Sequence, residues 1–207
     1  ESLKTLALST LAAGALIGGG SINAYNRLSP LQAIDNVLDS PATGAEPNSD
    51  VGSSTYMGLS KSFIRAALQY IAPSEGVKYK PYKDSKGKWT VGIGHLVLPG
   101  EVFTTTLTPK EVLDLFVKDL KEHIVRAQKL TPQYDQYPQY VKLAILDGIY
   151  RGDLSQSPKT RQLISSGKWS DAAKEYTNNR EYSQSKRLGD KHGVWKRMDR
   201  NAHMFKT

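Results

Sequence analysis

From about residue 57 onward, apolar side chains recur mostly at helical spacing, with one short interruption. Phe63, Ile64, Ala67, Leu68 and Ile71 mark a first helix, which Pro73 is expected to limit just before Glu75. Residues 79–82 and 89–93 then read as two short strands, joined by the turn-forming run Asp84, Ser85, Lys86, Gly87. Thr108 and Glu111 have the spacing of a capping box with Pro109 at the first helical position, so a helix is predicted from there to about Leu130. Its buried stripe would be Val112, Leu115, Phe116, Leu120 and Ile124. Further helices are predicted near residues 138–150, 158–165, 171–178 and 194–205, with Gly167 closing the second of these. One helix, a small antiparallel sheet and then many helices make an α+β pattern.

The first 56 residues follow other rules. Residues 6–22 are apolar but interrupted by Gly14, Gly18, Gly19 and Gly20, and they fall short of the roughly 20 residues a membrane span needs. Gly14 and Gly18 have the spacing that permits close helix approach. Residues 1–28 therefore read as a Gly- and Ala-rich helix that docks on a partner protein or enters a membrane. As a secretory signal, with Lys4 as the charged end, the segment fits poorly. Ile22, Asn23 and Ala24 put a bulky residue where cleavage wants a small one. Residues 29–56 read as a short helix, with Leu31, Ile34 and Leu38 on one face, followed by a Pro-, Gly- and Ser-rich linker. Residues 57–207 remain as the predicted catalytic domain.

Composition narrows the chemistry. There is no cysteine, which excludes disulfides, cysteine nucleophiles and thiolate-bound zinc. The net charge is +8, yet the first 56 residues hold only Lys4 and Arg27 against Glu1, Asp35, Asp39, Glu46 and Asp50. The basic excess therefore sits in the body of the chain, where it attracts polyanions such as nucleic acid or an anionic cell wall.

The candidate chemistry lies around the predicted hairpin. Glu75 stands where a helix ends, beside the negative end of its dipole and partly out of water, and both effects favour a protonated carboxyl. Such a group suits general-acid work. Asp84, at the turn, is better solvated and suited to activating a water, and Thr90 on the returning strand has a hydroxyl to hold the same water. A pair of carboxyls across a cleft is what glycosidic bond cleavage requires. His95 has no second histidine at metal-ligand spacing, the others being His123, His192 and His203, so a structural ion pair is expected of it. Gly92, Ile93 and Gly94 precede no phosphate-binding helix signal.

Residues 75–95 resemble the active-site segment of the phage-type lysozymes, glycoside hydrolase family 24, and the T-even phage branch above all. The resemblance rests on Glu75 followed by Gly76, then Asp84, then Thr90, and on the strand ending Gly92, Ile93, Gly94, His95. It extends more weakly over residues 59–205 and does not touch residues 1–56. It departs from the family at Tyr150, Arg151, Gly152, where an amide residue usually precedes the glycine.

This resemblance implies a lysozyme-like fold, with a small antiparallel β-hairpin lobe and a larger helical lobe. It implies hydrolysis of the β-1,4 bond between N-acetylmuramic acid and N-acetylglucosamine, with no metal and no cofactor. Glu75 would be the general acid, while Asp84 and Thr90 would handle the water. Substrate contacts are implied at Gly94, Leu96, Tyr150 and Arg197, and an ion pair between His95 and Asp119. The branch resembled inverts the anomeric centre, which implies carboxyls about 6.5–9.5 Å apart. The expected partner is a peptidoglycan glycan strand, with no specific nucleic acid. Phage structural proteins or a membrane are expected to engage residues 1–56. The expected location is a phage virion acting on the host wall and periplasm, with the host inner membrane as the alternative.

Overall fold

The computed structural model describes residues 28–40, 54–84, 86–189 and 193–206. Residues 1–27 of the predicted helix 1–28 and most of the linker before Ser54 lie outside them.

Helix α1 (Pro30–Asp39) starts at a capping box made by Ser29 and Gln32, with Pro30 at its first position. Ile34 and Leu38 are fully buried, and Leu31 packs beside them. Two short strands, β1 (Thr55–Tyr56) and β2 (Leu59–Ser60), form a small hairpin leading into helix α2 (Lys61–Glu75). Helix α1 packs against α2, where Arg65 reaches Asp35 at 2.7 Å and Asp39 at 2.8 Å.

Pro73 does not limit α2 as expected; the helix passes through it and ends at Glu75. Proline removes one hydrogen bond to the preceding turn, and only two residues of helix remain beyond it. Gly76, at φ 76°, closes the end by donating its N–H to the carbonyl of Ala72 at 2.8 Å. The consequence for the site is direct. Glu75 is carried into the last helical position and fixed there.

A three-stranded antiparallel sheet follows, from β3 (Lys78–Lys83), β4 (Trp89–Gly92) and β5 (His95–Leu96), in the order β3-β4-β5. The third strand was not among the predicted elements, because two residues are too short to show alternation. Register shifts between Lys78 and Tyr82, in the stretch where Pro81 has no N–H to give the ladder.

The body is helical. Helix α3 (Pro109–Leu130) carries the predicted capping box, and Val112, Phe116 and Leu120 of its stripe are buried while Leu115 and Ile124 are partly so. Helix α4 (Gln139–Arg151) is buried on nearly all sides, from Val141 to Ile149, and forms the centre of the core. Around it stand α5 (Pro158–Ser165), α6 (Trp169–Tyr176), α7 (Arg180–Leu188) and α8 (Val194–Met204). Helix α6 begins two residues before the predicted start, and α7 was not predicted. The fold is α+β, as expected.

Candidate active site

The end of α2 meets α4 and α8 at one cluster of charges. Glu75 Oε1 accepts a hydrogen bond from Arg197 Nη2 at 2.7 Å, and its side chain is 21% exposed. Arg197 also grips Asp147 of α4, through Nε to Oδ2 and Nη2 to Oδ1, both at 2.9 Å. Asp147 is fully buried, and Arg200 of α8 reaches its Oδ2 at 3.1 Å. Asn201 donates to the same oxygen at 2.8 Å. The neighbouring carboxylates, above all Asp147, hold Arg197 firmly in its charged form against the cost of burial.

The sheet presents the other half of the site. Across β3, β4 and β5, Tyr82 pairs with Thr90 and Thr90 with Leu96, so these three side chains share one face. Burial pushes the Tyr82 hydroxyl above its ordinary value, and the charges of both Glu75 and Asp84 add to that. Thr90 is nearly buried, and its hydroxyl leans on the carbonyl of Lys88 at 3.4 Å.

Asp84 builds the turn itself. Its Oδ1 accepts the N–H groups of Lys86 and Lys88, both at 2.8 Å, an arrangement that asparagine and aspartate favour in turns. Its Oδ2 has no hydrogen bond among the described residues. Gly94 lies against Glu75: a Cβ there would stand 2.9 Å from Glu75 Oε2, and φ is +71°. Only glycine lets this backbone segment approach so closely.

Of the remaining residues singled out in the sequence, Leu96 is 42% exposed beside Thr90. Tyr150 is different. Its ring stacks on His123 at 4.0 Å and its hydroxyl is buried without a partner, so it offers the cleft no exposed polar group. Burial drives that hydroxyl well above its ordinary value. His95 donates from Nδ1 to Asp119 at 2.9 Å and from Nε2 to Glu101 at 2.8 Å. The hydrogen bond to Asp119 is the largest influence raising its pKa, and Glu101 adds to it. Glu101 in turn is lowered to about 2, first by the backbone N–H of Leu98 and then by His95 and Lys118.

Asp147, Glu101 and Arg197's hold on Glu75 were missed by sequence reasoning. One signal was present: Asp147 is the single charge in the apolar run 143–149, and a charge inside such a run must find a partner.

Comparison with known proteins decides the family. Residues 72–197, more than half of the chain, match the phage lysozyme family model. This chain belongs to the phage lysozyme family. It is also 28% identical over 144 residues to the "Probable T4-type lysozyme 2" of Dictyostelium discoideum. That match takes in 56% of this chain and 83% of the relative. The lysozyme is accordingly a glycoside hydrolase, a muramidase-type enzyme with peptidoglycan as its substrate. The matched residues begin in the last turn of α2 and end at Arg197, so they span both halves of the site.

Proposed function

We propose that this lysozyme cleaves the bond between N-acetylmuramic acid and N-acetylglucosamine by single displacement, with Glu75 as general acid. The supporting observation is that Gly94, just past β4, lies against Glu75, while Thr90 of β4 pairs with Tyr82 on the strand that leads to Asp84. Glu75 gives its proton to the glycosidic oxygen as the bond to the anomeric carbon breaks. Asp84 Oδ2, left open by the turn, and the Thr90 hydroxyl hold a water at the opposite face of the sugar. That water attacks the oxocarbenium-like centre and passes its proton to Asp84. Gly94 and Leu96 line the sugar's path, and Arg197 holds the acid in place.

Stereochemistry tests the proposal. Digestion of soluble peptidoglycan fragments, followed by proton NMR before mutarotation, should show the α-anomer of the new reducing end first. The β-anomer appearing first would mean retention and would remove the water-holding role of Asp84.

We further propose that the chain is a virion component that opens the host wall during infection. The support is in residues 6–22, whose small residues suit helix docking better than a bilayer span. No helix among the described residues is long and apolar enough to cross a membrane, and residues 6–22 lie outside them. Fractionation of infected cells and purified particles tests this. Recovery with the particles is expected, while retention in carbonate-washed membranes points to an anchor.

A further inference from the structure

We propose that the outer face and turn of the β3–β4 hairpin form a second docking surface for peptidoglycan. Trp89 holds the sugar rings of a neighbouring glycan strand, and a group of lysines holds the carboxylates of its stem peptides. The inference rests on peptidoglycan as the substrate and not on the role given to Glu75.

Residues 77–90 carry five lysines, Lys78, Lys80, Lys83, Lys86 and Lys88, against one acid, Asp84. That balance of +4 is half of the chain's net charge of +8. All five lysines are exposed, and none of their ammonium groups has a hydrogen bond or ion pair among the described residues. Exposed lysines elsewhere are answered by acids: Lys110 by Asp114 at 2.8 Å, Lys118 by Glu101 at 3.1 Å and Lys159 by Glu175 at 2.7 Å. Asp84 gives no such answer here, because its carboxylate bonds only backbone N–H groups among the described residues.

Trp89 adds a surface of another kind. Its indole is 52% exposed, and Lys83 Nζ stands over the ring, 5.5 Å from its centre. Lys83 and Trp89 are register partners next to the Tyr82–Thr90 pair, so they lie on the face of the sheet opposite Thr90. Ring and cation are therefore outside the cleft and do not compete for the strand being cut. Protection of an edge strand accounts for lysines on β3, which borders the sheet. It does not account for Lys86 and Lys88 between the strands, or for an exposed indole on the central strand.

Together these chemistries fit a sugar polymer that carries carboxylates. An indole presents a flat apolar face to the C–H side of a pyranose ring. Ammonium groups on flexible stems reach carboxylates at varied spacing. Peptidoglycan supplies both, as sugar rings and acidic stem peptides, and its strands lie side by side. A strand held on the outer face keeps the cleft beside the next one and raises its effective concentration.

The test compares the full chain with Trp89→Ala and with a hairpin triple variant, Lys83→Gln, Lys86→Gln, Lys88→Gln. A control triple, Lys129→Gln, Lys168→Gln, Lys206→Gln, removes the same charge from exposed lysines elsewhere. Co-sedimentation with intact sacculi, on ice and at low salt, measures binding. Initial rates on short single strands, which fill the cleft or the outer face but not both, report on the cleft. Trp89→Ala and the hairpin triple should each bind sacculi roughly tenfold more weakly, with the control triple within about twofold of the wild type. Rates on short strands should stay within about twofold for all three. On sacculi whose carboxylates are capped as amides, the hairpin triple should bind as the wild type does, and Trp89→Ala should still bind more weakly.

A hairpin triple that binds intact sacculi no worse than the control triple overturns the inference. So does a loss on short strands as large as that on sacculi, or a hairpin triple that stays weaker on capped sacculi. Lysine-dependent binding to phosphatidylglycerol vesicles, with binding to sacculi unchanged, would make the face a lipid surface and overturn it too. The lysines are exposed, so the hairpin triple decides the matter if Trp89→Ala does not fold. A wild type that binds sacculi and cuts neither substrate would contradict the proposed mechanism alone and leave the binding result standing.

Discussion

Gly94 holds its backbone so close to Glu75 that a single added carbon would stand 2.9 Å from the carboxylate oxygen. The left-handed φ of +71° and this contact act at the same position, one on the backbone and one on the Glu75 side chain. Gly94→Ala should therefore cost about 1–2 kcal/mol of stability from the backbone alone. It should also displace the Glu75 carboxyl, with a fall in kcat/KM on the order of a hundredfold, since misplacing a reacting group by about 1 Å has that effect. Thermal unfolding and peptidoglycan turnover measure the two losses separately. A variant with normal turnover would show that the close approach has no part in catalysis.

Asp84 has one oxygen bonded in the turn and one with no hydrogen bond among the described residues, which allows a turn role and the proposed water-holding role to be separated. Asparagine keeps an oxygen for the N–H groups of Lys86 and Lys88 and loses only the charge. Asp84→Asn should fold as the wild type does, with stability within about 0.5 kcal/mol, while its turnover falls at least a hundredfold. Equal loss of stability and activity would make Asp84 a turn residue and nothing more.

The His95 cluster gives the molecule a pH window. His95 has a raised pKa, so its contribution is complete below its ordinary value of 6.5 and is lost as pH rises through the folded value. Glu101 is depressed to about 2, so its contribution is complete above its ordinary value of 4.5 and is lost as pH falls towards 2. The cluster therefore stabilises most between those ordinary values. Glu101→Gln should lower stability near pH 6 by roughly 1 kcal/mol, as befits a partly exposed charged hydrogen bond, and flatten the acid edge of the window, while Asp119 keeps the alkaline edge in a weaker form. Unfolding curves for the two proteins that run parallel across the whole range would refute this.

Ile34 and Leu38 bring α1 into the core of the catalytic body rather than leaving it on a linker. Leu38→Ala should cost about 2–5 kcal/mol, measured by urea unfolding of the full chain. A cost below about 0.5 kcal/mol would make α1 an appendage.

How far the sequence reached depended on where each element kept its signal. Helix α3 was legible from end to end because Thr108, Pro109 and Glu111 mark its start and an apolar stripe follows. Helix α7 was not, because its residues are polar on almost every side; its marks are Asn179, which accepts from the N–H of Tyr182, and Gly189 at its close. At the site, Glu75, Asp84 and Thr90 were legible as a local motif. Asp147 was not, because its meaning depends on Arg197, which lies 50 positions away in sequence and meets it only when α8 packs on α4. Glu101 is hidden for a similar reason, in a loop whose partner His95 was matched to Asp119 through the family resemblance alone.

The most direct test is digestion of purified peptidoglycan by the full chain beside its Glu75→Gln variant, with the products identified by mass spectrometry. New reducing-end N-acetylmuramic acid from the wild type, absent from the variant, is the predicted result. Equal release of those ends by both proteins, or binding without any new ends, would contradict it.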